Sequence, residues 1–219
     1  MFFFFHLIIF LLLFILFLPI LLLLVYFHLI SLGFSNLGIS SEATLFLLFL
    51  MLIGSFFNIP LFKKRKIYRE KNFYFFKWQY FEREGIGINL GGAIIPLILS
   101  LYFLFLLWRM KFDILPVIIA TLLMIIISFK LAVVVPQRGI SLPFFIPPLA
   151  SAILAFFLTP YYPAPTAFIA GTLGTLIGAD ILNLEKLLKY RGYFSIGGAG
   201  IFDGIFLVGI ISALLAGIK

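Results

Sequence analysis

The sequence contains no cysteine, only two histidines and few charged residues. The absence of cysteine excludes disulfides, thiol nucleophiles and cysteine-bound zinc or iron–sulfur centres within this chain. His6 and His28 lie in one apolar segment, at a spacing that fits no paired-histidine metal motif. We therefore expect no metal site and no cofactor. Charged residues make up 11% of the chain, against about 25% in soluble domains.

Hydrophobic residues make up 64% of the chain, which is more than a water-soluble fold of this size can bury. A hydrocarbon core about 30 Å thick needs roughly 20 apolar residues for each helix that crosses it. The predicted fold class is therefore an all-α, polytopic transmembrane helical bundle, one membrane domain over residues 1–219. The seven predicted spans cover approximately residues 2–30, 43–62, 87–108, 114–135, 144–159, 164–183 and 200–218. Prolines at both ends of the fifth span predict a tilted, broken or re-entrant helix.

The basic residues are distributed unequally between the two sides of this predicted bundle. Thirteen of the sixteen lysines and arginines fall in or beside loops on one side, and Arg109, Lys111 and Lys219 fall on the other. Basic loops stay in the cytoplasm. The sequence thus predicts a cytoplasmic N-terminus, an external C-terminus and a multi-pass protein of the plasma membrane.

One segment, residues 63–86, holds eight of the sixteen basic residues, interleaved with aromatic side chains. Basic residues between membrane spans are typical of a cytoplasmic loop above anionic lipid headgroups. We predict an interfacial amphipathic helix here, in contact with those headgroups. Nucleic acid is not expected as a partner, because half of the basic residues lie in this one loop between spans.

Two aspartates, Asp180 and Asp203, lie in glycine-rich apolar runs near the C-terminus. A carboxylate inside a bilayer costs roughly 2.5–3.5 kcal/mol on insertion scales, so it usually faces a partner or a water-filled cavity. Both aspartates fall towards the cytoplasmic side of consecutive predicted spans, where they can meet. Two aspartates that share one proton can act as acid and base on a water molecule, without metal or thiol.

Glycines surround both aspartates. Gly171, Gly174 and Gly178 recur every three or four residues and predict a smooth helix face for close packing. The glycines near Asp203 are expected to loosen the backbone there and to admit a substrate strand or water. The residues assigned to this access region are Gly178, Gly197, Gly198, Gly200 and Gly204, together with Asn89.

Four segments of the chain resemble a widespread prokaryotic family of polytopic membrane proteins, domain-of-unknown-function family 1614. The resemblance covers roughly residues 55–218 and implies a shared membrane fold, without an established activity. The four segments are Asn89–Pro96, Ile146–Ala150, Gly171–Asp180 and Gly197–Phe206.

A weaker resemblance of design links the aspartates to intramembrane aspartyl proteases of the presenilin, signal-peptide-peptidase and prepilin-peptidase type. Those enzymes carry one membrane aspartate and a second in a Gly-x-Gly-Asp motif. This chain has Gly178-Ala179-Asp180, with alanine in place of the second glycine, and two residues separate Gly200 from Asp203. The resemblance implies peptide hydrolysis with Asp180 and Asp203 as the catalytic pair.

Three functions follow from these residues. In the first, Asp180 and Asp203 hydrolyse a membrane peptide, tuned by Asn89 or Lys130. In the second, the same four residues line a path for a proton, a cation or a small solute. In the third, the aspartates are structural: Asp203 caps the last helix, and Asp180 pairs with Lys130 as its charge partner or bonds to Asn183. Asn89 is expected to hydrogen-bond to the sixth or seventh span.

Overall fold

A computed structural model describes residues 28, 32, 35, 38–73, 76–136, 139–190, 192–198 and 204–217. The first predicted span, residues 2–30, lies outside the described residues apart from His28. The remaining six spans can be compared with the structure, and each one overlaps a helix.

Seven α-helices and two π-helical turns occupy most of the described chain. Proline begins four of the helices in their first turn, where its missing N–H costs nothing. Ser40 caps the helix of the second predicted span, because its Oγ accepts a hydrogen bond from the Ala43 amide at 3.3 Å. The helices are α1 Ser41–Ser55, α2 Ile95–Arg109, α3 Leu115–Leu131, α4 Ile146–Leu158, α5 Pro163–Thr175, α6 Leu184–Leu188 and α7 Gly204–Gly217; π1 is Leu90–Ile94 and π2 is Leu176–Ile181.

Two continuous helical stretches are long and apolar enough to cross a membrane. They are Leu90–Arg109, formed by π1 and α2, and Pro163–Leu188, formed by α5, π2 and α6. The fifth predicted span forms the unbroken helix α4, whose 13 residues extend about 20 Å. This helix is shorter than a hydrocarbon core and contains no break.

The prediction of an all-α fold is confirmed only in part, because the described chain is mostly helical but also forms strands. β1 (Asn58–Phe73) and β2 (Phe76–Asn89) form a long antiparallel hairpin, and β5 (Tyr193–Ile196) pairs in parallel with β2. The amphipathic helix predicted over residues 63–86 is wrong for the same reason. Its tyrosine, phenylalanine and tryptophan residues favour strands, and the backbone pairing extends along nearly the whole segment. A second, short hairpin joins β3 (Val133–Val135) to β4 (Gly139–Ser141).

Helix α5 lies at the centre of the bundle, packed against α2, α3, α4 and α7. Its glycines permit this arrangement, as the sequence predicted. A Cβ built on Gly174 would lie 2.4 Å from Met124 Cβ of α3, and one on Gly171 would lie 2.9 Å from Ser212 Oγ of α7. Neighbouring helices therefore approach α5 more closely than any residue with a side chain would allow.

Two loops that the sequence places on one side of the bundle are joined at the end opposite β5. The Tyr162 hydroxyl donates to the Asp113 carbonyl oxygen at 2.6 Å, and its ring packs against Phe112 with centroids 4.4 Å apart. Burial, and secondarily the nearby Asp113 carboxylate, raise the pKa of the Tyr162 phenol. The protonated form that donates this bond is therefore favoured.

We predict that Gly174→Ala destabilises the bundle by about 1–3 kcal/mol, the usual cost of overpacking a tight core. The added methyl group would collide with Met124 of α3. Thermal unfolding in detergent checks this. Leu173→Ala serves as the control on the same turn, because its half-buried side chain only loses volume. An alanine at 174 that leaves the unfolding midpoint unchanged would show that α3 and α5 are not closely packed.

Tyr162→Phe should lower stability by about 1 kcal/mol, the net value of one hydrogen bond. Because folding raises the pKa of this tyrosine, its contribution is fully present below the ordinary value of 10.0 and is lost as pH rises through the folded value. Unfolding midpoints measured at neutral and alkaline pH test both statements. Tyr161→Phe is the control, since Tyr161 is 87% exposed. Equal effects of the two substitutions would contradict the prediction.

Candidate functional site

Asp180 lies in π2, where the backbone hydrogen bonds of the helix that begins at Pro163 join residues five apart instead of four. The Leu182 amide donates to the Ile177 carbonyl oxygen at 2.9 Å, five residues earlier in the chain. Gly178 permits this turn to lie against α3, because a Cβ there would be 2.3 Å from the Ile125 carbonyl oxygen. Single π turns inside α-helices occur often at functional sites. The half-buried Asp180 occupies such a turn.

The Asp180 carboxylate is held by the glycine turn that follows β5. Its Oδ2 accepts a hydrogen bond from the Gly197 amide at 2.9 Å. Gly197 and Gly198 have φ of +78° and +75°, a left-handed conformation that favours glycine. A Cβ on Gly197 would also lie 2.5 Å from Ala93 Cβ of π1. Gly197 and Gly198, two of the predicted access residues, are therefore required at this turn by the left-handed backbone conformation.

Asn89 connects the sheet to π1 and is fully buried. Its Oδ1 accepts from the Gly92 amide at 2.7 Å, so it caps the π1 turn. Its Nδ2 donates to the Ser55 carbonyl oxygen at 2.8 Å and to Asn58 Oδ1 at 3.1 Å. The expectation that Asn89 bonds to the sixth or seventh span is wrong, because its amide is used to fix the start of π1 against the end of α1.

Ser195 joins this network from β5. Its hydroxyl donates to Asn58 Oδ1, the oxygen that also accepts from Asn89. Since Gly197 lies two residues further along the chain, the network extends through β5 to the amide that binds Asp180. Sequence reasoning assigned no role to Ser195 and treated Asn58 only as the end of a span. The available signal was a pair of asparagines at the two ends of the basic segment.

Asn183 stabilises the end of π2 and is fully buried. Its Nδ2 donates to the carbonyl oxygens of Gly178 and Ala179, at 3.2 and 2.9 Å. The widened turn deprives Gly178 of its usual helical donor, Leu182, so Asn183 supplies one. Lys186 Nζ donates to Asn183 Oδ1 at 2.7 Å and lies 4.8 Å from the centroid of the Phe129 ring. The lysine that contacts this end of π2 is thus Lys186.

The remaining predicted site residues are less fully placed. Lys130 lies in the last turn of α3 with an exposed side chain, and its pairing with Asp180 stays a prediction. Asp203 and Gly200 lie outside the described residues. Gly204 begins α7, and Ile205 next to it packs in one cluster with Leu176 of π2 and Ile196 of β5. Residues close in the chain to Asp180 and to Asp203 therefore pack in the same hydrophobic cluster.

The chain matches the family described as Protein of unknown function (DUF1614) over residues 52–215, about three quarters of its length. The chain belongs to the DUF1614 family. The membership predicted from its sequence segments is confirmed, and the matched range of this DUF1614 protein includes both π turns and both aspartates. No curated protein and no solved structure matches the chain.

In its described residues this site contains the Asp180 carboxylate, the backbone amide that binds it and the two π turns. Among the described residues, no three His, Cys, Asp or Glu side chains lie close enough to hold a metal ion together. The carboxylate is fixed by a backbone donor on a glycine turn, and Gly197 in that turn is buried against Ala93 of π1. Such a site can accept a proton and position a water molecule.

We predict that Asn183→Ala lowers the free energy of unfolding by about 1–3 kcal/mol, because it leaves the Gly178 and Ala179 carbonyls buried without this donor. Unfolding in detergent measures the loss. Lys186→Met is the matched control: it removes the Lys186 bond but keeps both donors of Asn183, so its effect should be smaller. An Asn183→Ala effect no larger than that of Lys186→Met would contradict the assigned role.

Proposed function

We propose that this DUF1614 protein is a multi-pass integral membrane protein of the plasma membrane. The support is the distribution of side chains across the bundle. Small and weakly polar residues such as Ser151 and Thr175 are fully buried, beside large apolar ones such as Phe168. Large apolar residues cover the outside, where Phe157 is 76% and Trp108 67% exposed. In water such a surface would aggregate, whereas lipid solvates it.

The same proposal includes the predicted topology. Seven spans, with the N-terminus in the cytoplasm, place the basic hairpin and β5 on the cytoplasmic side. In this topology successive loops alternate between the two ends of the bundle, and two observations support it. The segments around β2 and β5 pair at one end of the bundle, and the loops that contain Asp113 and Tyr162 are joined at the other.

We propose further that the protein is a membrane-embedded aspartyl hydrolase in which Asp180 and Asp203 cleave a membrane peptide. One observation carries this proposal: the hydrogen bond from the Gly197 amide to Asp180 Oδ2, which ties π2 to the glycine turn six residues before Asp203. Ile205, two residues after Asp203, packs against the turn of π2 that precedes Asp180. These two contacts support the proposal that the second aspartate lies near the first.

The chemistry needs no metal, thiol or oxidant. One carboxylate takes a proton from a water molecule, whose oxygen bonds to the carbonyl carbon of the peptide. The other aspartate, protonated, gives its proton to the carbonyl oxygen. When the tetrahedral intermediate collapses, the C–N bond breaks and the departing nitrogen receives a proton, which leaves a carboxylic acid and an amine. Because Gly197 is buried against π1, the extended substrate would approach the pair beside the half-buried Gly198.

Substitution of each aspartate by asparagine tests the proposal. In proteoliposomes that contain a fluorogenic membrane peptide, Asp180→Asn and Asp203→Asn should each reduce the cleavage rate by about 10²–10⁴-fold, the usual contribution of an acid or base. Asp113→Asn is the matched control, because it removes the same charge at the opposite end of the bundle. Its rate should equal that of the unsubstituted protein, and all three variants should unfold at comparable temperatures.

Other outcomes would overturn the hydrolase. If the unsubstituted protein cleaves no peptide, and Asp203→Asn alters the flux of protons or cations across the liposome, the aspartates line a transport path. If neither cleavage nor flux responds, and both variants only lower the unfolding temperature, the aspartates are structural.

A further inference from the structure

The distal part of the β1–β2 hairpin pairs only with itself. Within the described chain, β5 joins β2 over Gly85–Ile88 alone. From Lys66 opposite Arg83 to Phe73 opposite Phe76, each strand has the other as its sheet neighbour. This part extends about 25 Å beyond β5. A two-stranded hairpin of this kind is marginally stable in water at best, so its persistence requires a surface that covers it.

The composition of the hairpin identifies the charge of that surface. Residues 63–84 contain eight lysines and arginines against three glutamates, and thus carry five of the eight net positive charges of the chain. The register also places two cations, Lys66 and Arg83, directly opposite each other. Like charges at paired positions destabilise a hairpin. A negatively charged surface would remove that repulsion.

The aromatic residues and the location of the hairpin indicate which negative surface it is. Eight aromatic residues lie in the same segment, four of them consecutive in the sequence at positions 73–76. Tyrosine and tryptophan are enriched where a membrane meets water. β1 begins three residues after α1 ends, and β2 leads directly into π1 and α2. β1 therefore starts, and β2 ends, at the boundary of the helical bundle.

We propose that the distal hairpin, Lys66–Arg83, lies on the membrane that surrounds the bundle and binds its anionic lipid headgroups. The cations contact the phosphates, and the aromatic residues enter the boundary between headgroups and acyl chains. This proposal is independent of the hydrolase. It assigns a lipid-binding role to the segment where the sequence led us to expect a helix.

Tryptophan fluorescence can test the contact on the full chain. The protein has two tryptophans, so Trp108→Phe leaves Trp78 of the hairpin as the only probe. In nanodiscs that contain anionic lipid, brominated acyl chains should quench Trp78, and aqueous iodide should not. Replacement of the anionic lipid by phosphatidylcholine, or a rise in salt concentration, should reverse both results.

Charge variants add a second readout. In the Trp108→Phe background, Lys66→Gln with Lys71→Gln should weaken quenching by the brominated lipid. Arg109→Gln with Lys189→Gln, which removes the same charge outside the hairpin, should leave the quenching unchanged. Iodide quenching of Trp78 in anionic nanodiscs would overturn the proposal. So would protection of Trp78 by added oligonucleotide or by an acidic protein, but not by anionic lipid.

Discussion

Close packing around helix α5 is the constraint on which the rest of the structure depends. This helix presents glycines at positions 171 and 174, and its continuation π2 presents another at 178. At each one a Cβ would lie less than 3 Å from an atom of a neighbouring helix. Many large apolar side chains lie on the outside, and the core combines small residues with large ones such as Phe103 and Phe168. Van der Waals contact at the three glycines helps to hold the helices together.

The same close packing determines where the polar groups can lie. Because Gly178 brings π2 against α3, the widened turn loses a helical hydrogen bond, and Asn183 replaces it. The turn then presents Asp180 to the Gly197 amide, on a glycine turn whose left-handed conformation is fixed by its contact with π1. Asn89 fixes π1 in turn. Two helix distortions and one short strand therefore form a single connected unit around one carboxylate.

Sequence reasoning located the helices well and the strands poorly, for a physical reason. Apolar length is a local property, so six of the predicted spans overlap helices. The partner of a strand is not local: β2 pairs with β5 more than a hundred residues away, and β5 has only four residues. The free-energy cost of a carboxylate in lipid suggested from the sequence that Asp180 lies in a polar site. A role for Ser195 could not be inferred from the sequence, because only the fold brings Ser195 to Asn58.

The most direct test of this account is whether residues 180 and 203 meet, and the absence of cysteine makes it practical. Asp180→Cys with Asp203→Cys, oxidised in native membranes, should form an intramolecular disulfide, which requires Cβ atoms about 3.5–4.5 Å apart. Ile88→Cys with Ile196→Cys, which are directly paired in β2 and β5, is the positive control, and Asp113→Cys with Asp203→Cys the negative one. Efficient crosslinking of the 180/203 pair would support a shared site. Its failure beside a crosslinked 88/196 pair would contradict the account.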